Sequence, residues 1–209
     1  MVSPGPRGAG QDVIASSSPV AHRYAKFIDP GQHVERLSPS DKVKLGVGAA
    51  FSPFAALGWV SAATYSQALD SSPNYGQGWG PYGQRIGAAA ARGSSEGVFS
   101  DSVFAPLFHE DPRYYRLGPG KSVMYRTLYA VTRTVVTRSD DGHRTPNFSL
   151  LAGNAAGAVL TNAYYPSVNR NASTTVNTFA GSVGGSALGF FVREFLSDAL
   201  QATHLRNSD

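Results

Sequence analysis

Charged residues are clustered along the chain and leave three long neutral stretches between them, residues 45–69, 145–169 and 171–192. The first of these, "LGVGAAFSPFAALGWVSAATYSQAL", would extend about 37 Å as a helix at about 1.5 Å per residue, enough to cross a hydrocarbon core of about 30 Å. Gly, Ser, Thr and Pro53 dilute its apolar content, and the other two stretches are equally rich in small and polar residues. Two placements therefore fit all three: embedded in lipid, or packed inside protein or along a membrane surface.

The neutral stretches and their flanks predict about five helices, over residues 40–70, 81–110, 121–138, 147–164 and 173–202. Ser38-Pro39-Ser40-Asp41 marks the first start, with capping residues around a proline that a first turn tolerates. "SSPNYGQGWGP", "DPRYYRLGPG", "SDDGHRTP" and "YYPSVNRN" separate the helices, each carrying residues that break the helical backbone. The third helix is the weakest, because "TRTVVTR" is β-branched and suits a strand; its residues do not alternate cleanly, and Arg126 and Arg133 fall on one helical face. The pattern specifies an all-α chain, a Gly/Ala-rich and membrane-associated bundle, with a barrel of short Gly/Tyr strands as the alternative. Residues 1–37, scattered with Pro, Gly and Ser and lacking a long apolar run, are expected to form a flexible or peripheral arm. Residues 38–202 form the helical domain and 203–209 a C-terminal tail.

Composition sharpens the packing. There are 23 glycines, and charged residues make up only 15% of the chain, which favours close backbone approach over a leucine-rich interior. Gly153 and Gly157, then Gly181, Gly185 and Gly189, recur at every fourth position and line one narrow helical face. A glycine inside a helix costs about 1 kcal/mol relative to alanine, so such a face makes sense where another helix packs closely. Gly83 with Gly87, and Gly93 with Gly97, repeat the spacing. The chain has no cysteine, which excludes disulfides and thiolate metal sites.

The net charge of +4, from 18 Lys and Arg against 14 Asp and Glu, is unevenly spread. Arg113, Arg116, Lys121, Arg126, Arg133 and Arg138 occur within residues 112–138 without an acid among them, so that segment is expected to seek an anionic surface such as lipid headgroups. Immediately before it, "FHEDPRYYR" gathers an imidazole, two carboxylates and two guanidinium groups. Pro112 biases Asp111 away from helix, which would end the second helix near Glu110 with two acids beside the negative end of its dipole. Arg113 and Arg116 follow at once, and Arg126 or Arg133 could reach back. The group His109, Glu110, Asp111, Arg113, Arg116, Arg126 and Arg133 is thus expected to be an ion-paired corner.

Catalysis around His109, Glu110 and Asp111 is the competing reading. A zinc-protease helix would need a second histidine where Arg113 stands, and the histidines at 22, 33, 143 and 204 have no spacing that recruits them, so no metal is expected. Residues 78–83 match the dinucleotide pattern G-x-G-x-x-G but follow no strand and contain Pro81, which reads as a turn. Residues 93–97 match G-x-S-x-G inside an Ala-rich helical run, which would not expose Ser95 as a nucleophile. Asn147 and Asn171 head glycosylation sequons, relevant only in a eukaryotic secretory protein. No cofactor and no nucleic-acid partner are expected.

"APLFHEDPRYYRLGPG", "RTLYAVTRTVVTRSDDGHRTPNFSLLAGNAAGA", "NAYYP" and "VREFLSDAL" together resemble a group of uncharacterised bacterial proteins sharing an H-E-D-x-R-Y segment, Gly-rich later helices and a closing "REF" element. The resemblance covers about residues 45–200. It implies a bacterial membrane or cell envelope and no particular activity. The chain is accordingly expected to be a non-enzymatic structural or interaction component of an envelope assembly, packed against other membrane or envelope subunits or in a homo-oligomer. The alternatives are an enzyme at His109, Glu110 and Asp111, and a soluble module whose basic third helix holds an anion.

Overall fold

The structure, a computed structural model, describes residues 19–203. The chain is mostly helical, with a few short strands. After β1 (Phe27–Ile28) come α1 (Pro39–Ala50) and α2 (Pro53–Ala68), bent 47° from one another. The sequence pattern suggested one helix here. Pro53 decides otherwise: Ser52 takes an extended backbone, its hydroxyl accepts from the Ala55 N–H, and Pro53 opens a second helix. At the start of α1, Ser38 and Asp41 form a reciprocal capping box, as the local sequence indicated.

α3 (Trp79–Val98) runs on without interruption into a π-helical turn at Phe99–Phe104 and a last turn, α4 (Ala105–Leu107). His109, in the left-handed region at φ 54°, then swings the chain into β2 (Glu110–Asp111). β3 (Tyr114–Tyr115) follows, then α5 (Val123–Thr132), β4 (Val136–Ser139), β5 (Arg144–Pro146), α6 (Phe148–Leu160) and the long α7 (Ala172–Ala202). The predicted third helix therefore stops at Thr132 rather than 138. Its β-branched end, Val136 to Ser139, pairs antiparallel with β2 on one side and β5 on the other.

α1, α3, the π-turn and α6 pack together, with α2 against α3 and α7 against both α6 and α5. Residues 19–37 correct the expectation of a flexible arm. β1 pairs parallel with β3, Ile28 and Leu37 are buried, and Arg23, Lys26 and Asp29 pair with Asp41, Asp101 and Arg116. The expected tail lies outside the described residues except for Thr203.

The interior is built from small and polar side chains. Among the described residues, eight of the fourteen buried hydrophobics are alanine while twenty buried residues are polar or charged, so hydrogen bonds and close backbone contact replace a leucine core. Gly153 and Gly157 serve that contact: a Cβ on Gly153 would lie 2.6 Å from the Ser100 amide nitrogen, and one on Gly157 would strike the Glu96 side chain. Gly181, Gly185 and Gly189 do not. A Cβ at any of them meets nothing within 4 Å, so no helix of the chain itself fills the close approach that their spacing suggested.

Candidate functional site

Of the seven residues expected in an ion-paired corner, only Asp111 and Arg113 pair with each other. Because the helix ends at Leu107 instead of Glu110, the two carboxylates leave its dipole behind. Glu110, buried, reaches the opposite end of another helix: it accepts from the Phe148 N–H at 3.1 Å and the Ser149 N–H at 3.0 Å, at the positive end of α6. Asn147 caps the same end by accepting from the Leu150 N–H.

Asp111 does pair with Arg113, in a two-pronged contact of 2.9 Å from Nε and 2.8 Å from Nη2, and also accepts from the Tyr115 hydroxyl at 2.6 Å. Burial alone would raise its carboxyl, but the Arg113 bonds and charge, with Tyr115, outweigh it and hold the group below the usual carboxylate range. The Tyr115 hydroxyl is raised to a value above its normal range by burial and by the Asp111 charge. His109 is exposed, and its contact in the corner is through its carbonyl, which accepts from the Asp140 N–H. With Glu110 spent on a helix end and Asp111 on Arg113, the three residues do not form a common acid–base centre.

Arg116 and Arg126 leave the corner entirely and converge on α7, where the sequence reading placed no acid. Glu194 is fully buried and accepts from Tyr114 Oη at 2.9 Å, Arg126 Nε at 2.9 Å and the backbone N–H groups of Leu117 and Gly118. Asp198, one turn later, takes Arg126 Nη1 at 2.7 Å and Arg116 Nη2 at 3.3 Å. Arg116 also pairs with Asp29. Arg133 has no acid partner among the described residues and lies over the Tyr129 ring at 4.5 Å. The signal for Glu194 and Asp198 was present in "VREFLSDAL": an i,i+4 acid pair on one helical face, which a cation from another element can meet.

Because Arg113, Arg116 and Arg126 are committed inside, the basic segment does not present its six cations as one surface. This removes the basis for an anion-binding module built on α5.

A cavity of about 450 Å³ opens beside the π-turn, between α1, α2, α3, α6 and α7. Leu45, Ala49, Phe54, Leu150 and Phe190 supply apolar wall, and Gly48 and Gly189, where a Cβ would meet nothing within 4 Å, leave the space. Its polar groups are largely paired with one another: Lys26 with Asp101, Glu96 with the Ser182 hydroxyl, Asn154 with Ser186 at 3.4 Å. Burial pushes the Glu96 carboxyl up to about 6 despite Arg92 and Ser182. Arg193, from the same closing element as Glu194, has no hydrogen-bond or acid partner among the described residues. Its guanidinium lies 3.6 Å from the Phe54 ring centre and 4.3 Å from that of Phe27.

The motif matches resolve into local structure. Gly78, at φ 106°, is the N-cap of α3 and follows no strand. Ser95 lies within α3 and donates to the Arg92 carbonyl, so it is no nucleophile elbow. Asn147 and Asn171 are the N-caps of α6 and α7. Among the described residues no group of three or more His, Asp and Glu side chains is placed to hold a metal ion. No family model, curated protein or solved structure matches the chain.

Proposed function

We propose that the chain is a non-enzymatic structural or interaction component of a bacterial membrane or envelope assembly. The observation that carries this reading is the inversion of polarity between inside and outside. Arg126, Glu194, Arg113 and Asp111 are buried, while Phe51, Leu57, Met124 and Leu188 are each more than 60% exposed. In water a chain gains by the opposite arrangement, so exposed apolar side chains above a buried polar network support a membrane or protein partner as their cover. No single helix among the described residues is long and apolar enough to cross a membrane; α1 and α2 pass that test only together, as a bent pair. Gly181 and Gly185 of α7, open within the chain, add a flat strip where a helix of another subunit, or of a second copy, can approach closely.

The test is flotation with neutral phosphatidylcholine vesicles. The chain is expected to float with the vesicles and to stay bound in high salt, because apolar burial is insensitive to screening whereas surface charge attraction is not. A chain that remains monodisperse in plain buffer and leaves the vesicles unbound overturns the reading.

A further inference from the structure

We propose that the cavity between α1, α2, α3, α6 and α7 binds an anionic amphiphile, its acidic head on Arg193 and its hydrocarbon tail along the glycine-lined apolar wall. The binding does not depend on the chain lying in a membrane. Three observations converge on it.

The space is of ligand size, since pockets for small molecules run about 300–1,000 Å³ and this one is about 450 Å³. Leu45, Ala49, Ala50, Phe54, Leu150 and Phe190 supply its apolar wall. The polar groups on it are already spoken for, with two exceptions. Lys26 holds Asp101, Glu96 holds Ser182 and Asn154 holds Ser186, whereas Arg193 and Lys44 have no acid partner among the described residues.

Arg193 is the more informative of the two. It is half-buried, its Nε has no hydrogen-bond partner, and its guanidinium carbon lies over the Phe27 and Phe54 rings, where no acid meets it. That leaves the edge of the fork, with its N–H donors, for a carboxylate or phosphate. Burial lowers the basicity of this side chain, and a bound anion would offset that cost. Arg193 also lines a second, mixed hollow of about 420 Å³ with Lys26, Asp29, Arg116, Leu196 and Leu200, so it stands between two hollows. Along α7 the cavity lining runs from Ser186 to Arg193, seven residues apart, about 10 Å at about 1.5 Å per residue. The head therefore has a place at one end of α7's cavity wall and a tail can run toward the other.

Tryptophan fluorescence reads the occupant, because Trp59 lies against Gly93 of the wall. The full chain carrying Trp79→Phe, held in a non-ionic amphipathic polymer, is titrated with dodecanoate, dodecyl phosphate, dodecanol and acetate. The expected result is saturable binding of one or both dodecyl anions, at least tenfold weaker binding of dodecanol, and none of acetate. The stronger of the two anions then tells carboxylate from phosphate as the head. Arg193→Gln should weaken the anion at least tenfold while leaving dodecanol unchanged, and Arg193→Lys should restore part of the loss. Gly189→Leu should block all dodecyl compounds, and it has room to do so without a clash, because a Cβ there meets nothing within 4 Å. Equal binding of dodecanol and dodecanoate, undiminished anion binding in Arg193→Gln, or undiminished binding in Gly189→Leu overturns the proposal. If Arg193→Gln does not fold, Arg193→Lys and Gly189→Leu give the same decision.

Discussion

Glu194 and Arg126 meet inside the molecule with each guanidinium nitrogen and each carboxylate oxygen partnered, and that pairing is what makes so polar an interior tolerable. Removing one partner strands the other, at a cost of about 3–5 kcal/mol for a buried charge. Glu194→Ala and Arg126→Ala are each expected to destabilise on that scale in denaturant unfolding, and the double variant to cost less than the sum. The same reasoning reassigns the corner. Asp111 and Arg113 are bonded twice, whereas Glu110 bonds to the first N–H groups of α6. A double-mutant cycle should therefore give a coupling of about 0.5–3 kcal/mol for Asp111 with Arg113 and additivity within about 0.5 kcal/mol for Glu110 with Arg113. A large Glu110–Arg113 coupling would return the corner to the arrangement its sequence suggested.

Between helices, the glycines divide into two kinds. Gly153 faces the backbone of Ser100 in the π-turn, so Gly153→Ala should overpack that contact and cost about 1–3 kcal/mol. Gly185 faces open space, so Gly185→Ala should leave unfolding unchanged or raise stability by up to about 1 kcal/mol through helix propensity. The opposite ranking of the two melting temperatures would refute the assignment. Where α3, α6 and α7 meet, Glu96 gives a pH signature. Its carboxyl is raised to about 6 in the fold, so the folded chain holds a proton that the unfolded chain releases at lower pH. Below the unfolded value burial costs nothing; as pH rises through about 6 the charge must be buried, at about 2 kcal/mol for a shift of this size. Glu96→Gln should accordingly match the parent near pH 4 and melt at a higher temperature than the parent at pH 8. Equal melting temperatures at pH 8 would show that Glu96 carries no such burden.

At the scale of the whole molecule, residues 19–37 are part of the folded unit. Lys26, Asp29 and Arg23 tie them to the π-turn, to Arg116 and to α1, and Ile28 is buried beside β3. A chain beginning at Ser38 would leave Asp101 without its lysine and Arg116 without one of its two acids. It is expected to unfold at a clearly lower temperature than the full chain, and an unchanged melting curve would mark the segment as peripheral after all. The contrast between a buried polar network and an apolar exterior also belongs to this scale, because it follows from how the helices are arranged and not from any one of them.

The helices themselves were written locally. Ser38, Ser122, Asn147 and Asn171 each cap the helix that follows, Pro53 forbids continuation, and the run of Val and Thr before Arg138 prefers a strand, all through interactions a few residues long. The corner was legible as a collection of charges, and the pair Asp111 with Arg113 as neighbours two apart. Which remote carboxylate Arg126 would find was not legible, because Glu194 lies 68 positions away and only the packing of α5 on α7 brings the two within 2.9 Å. The same limit governed the glycines: spacing places Gly153 and Gly185 on faces of equal narrowness, and only the position of a neighbouring helix decides that one face is filled and the other open. Local geometry is set by steric and hydrogen-bond rules that act within a turn or two of chain. The pairing of buried charges, the Arg193 cavity and the inside-out distribution of polarity arise from contacts between distant segments, whose choice only the tertiary structure fixes.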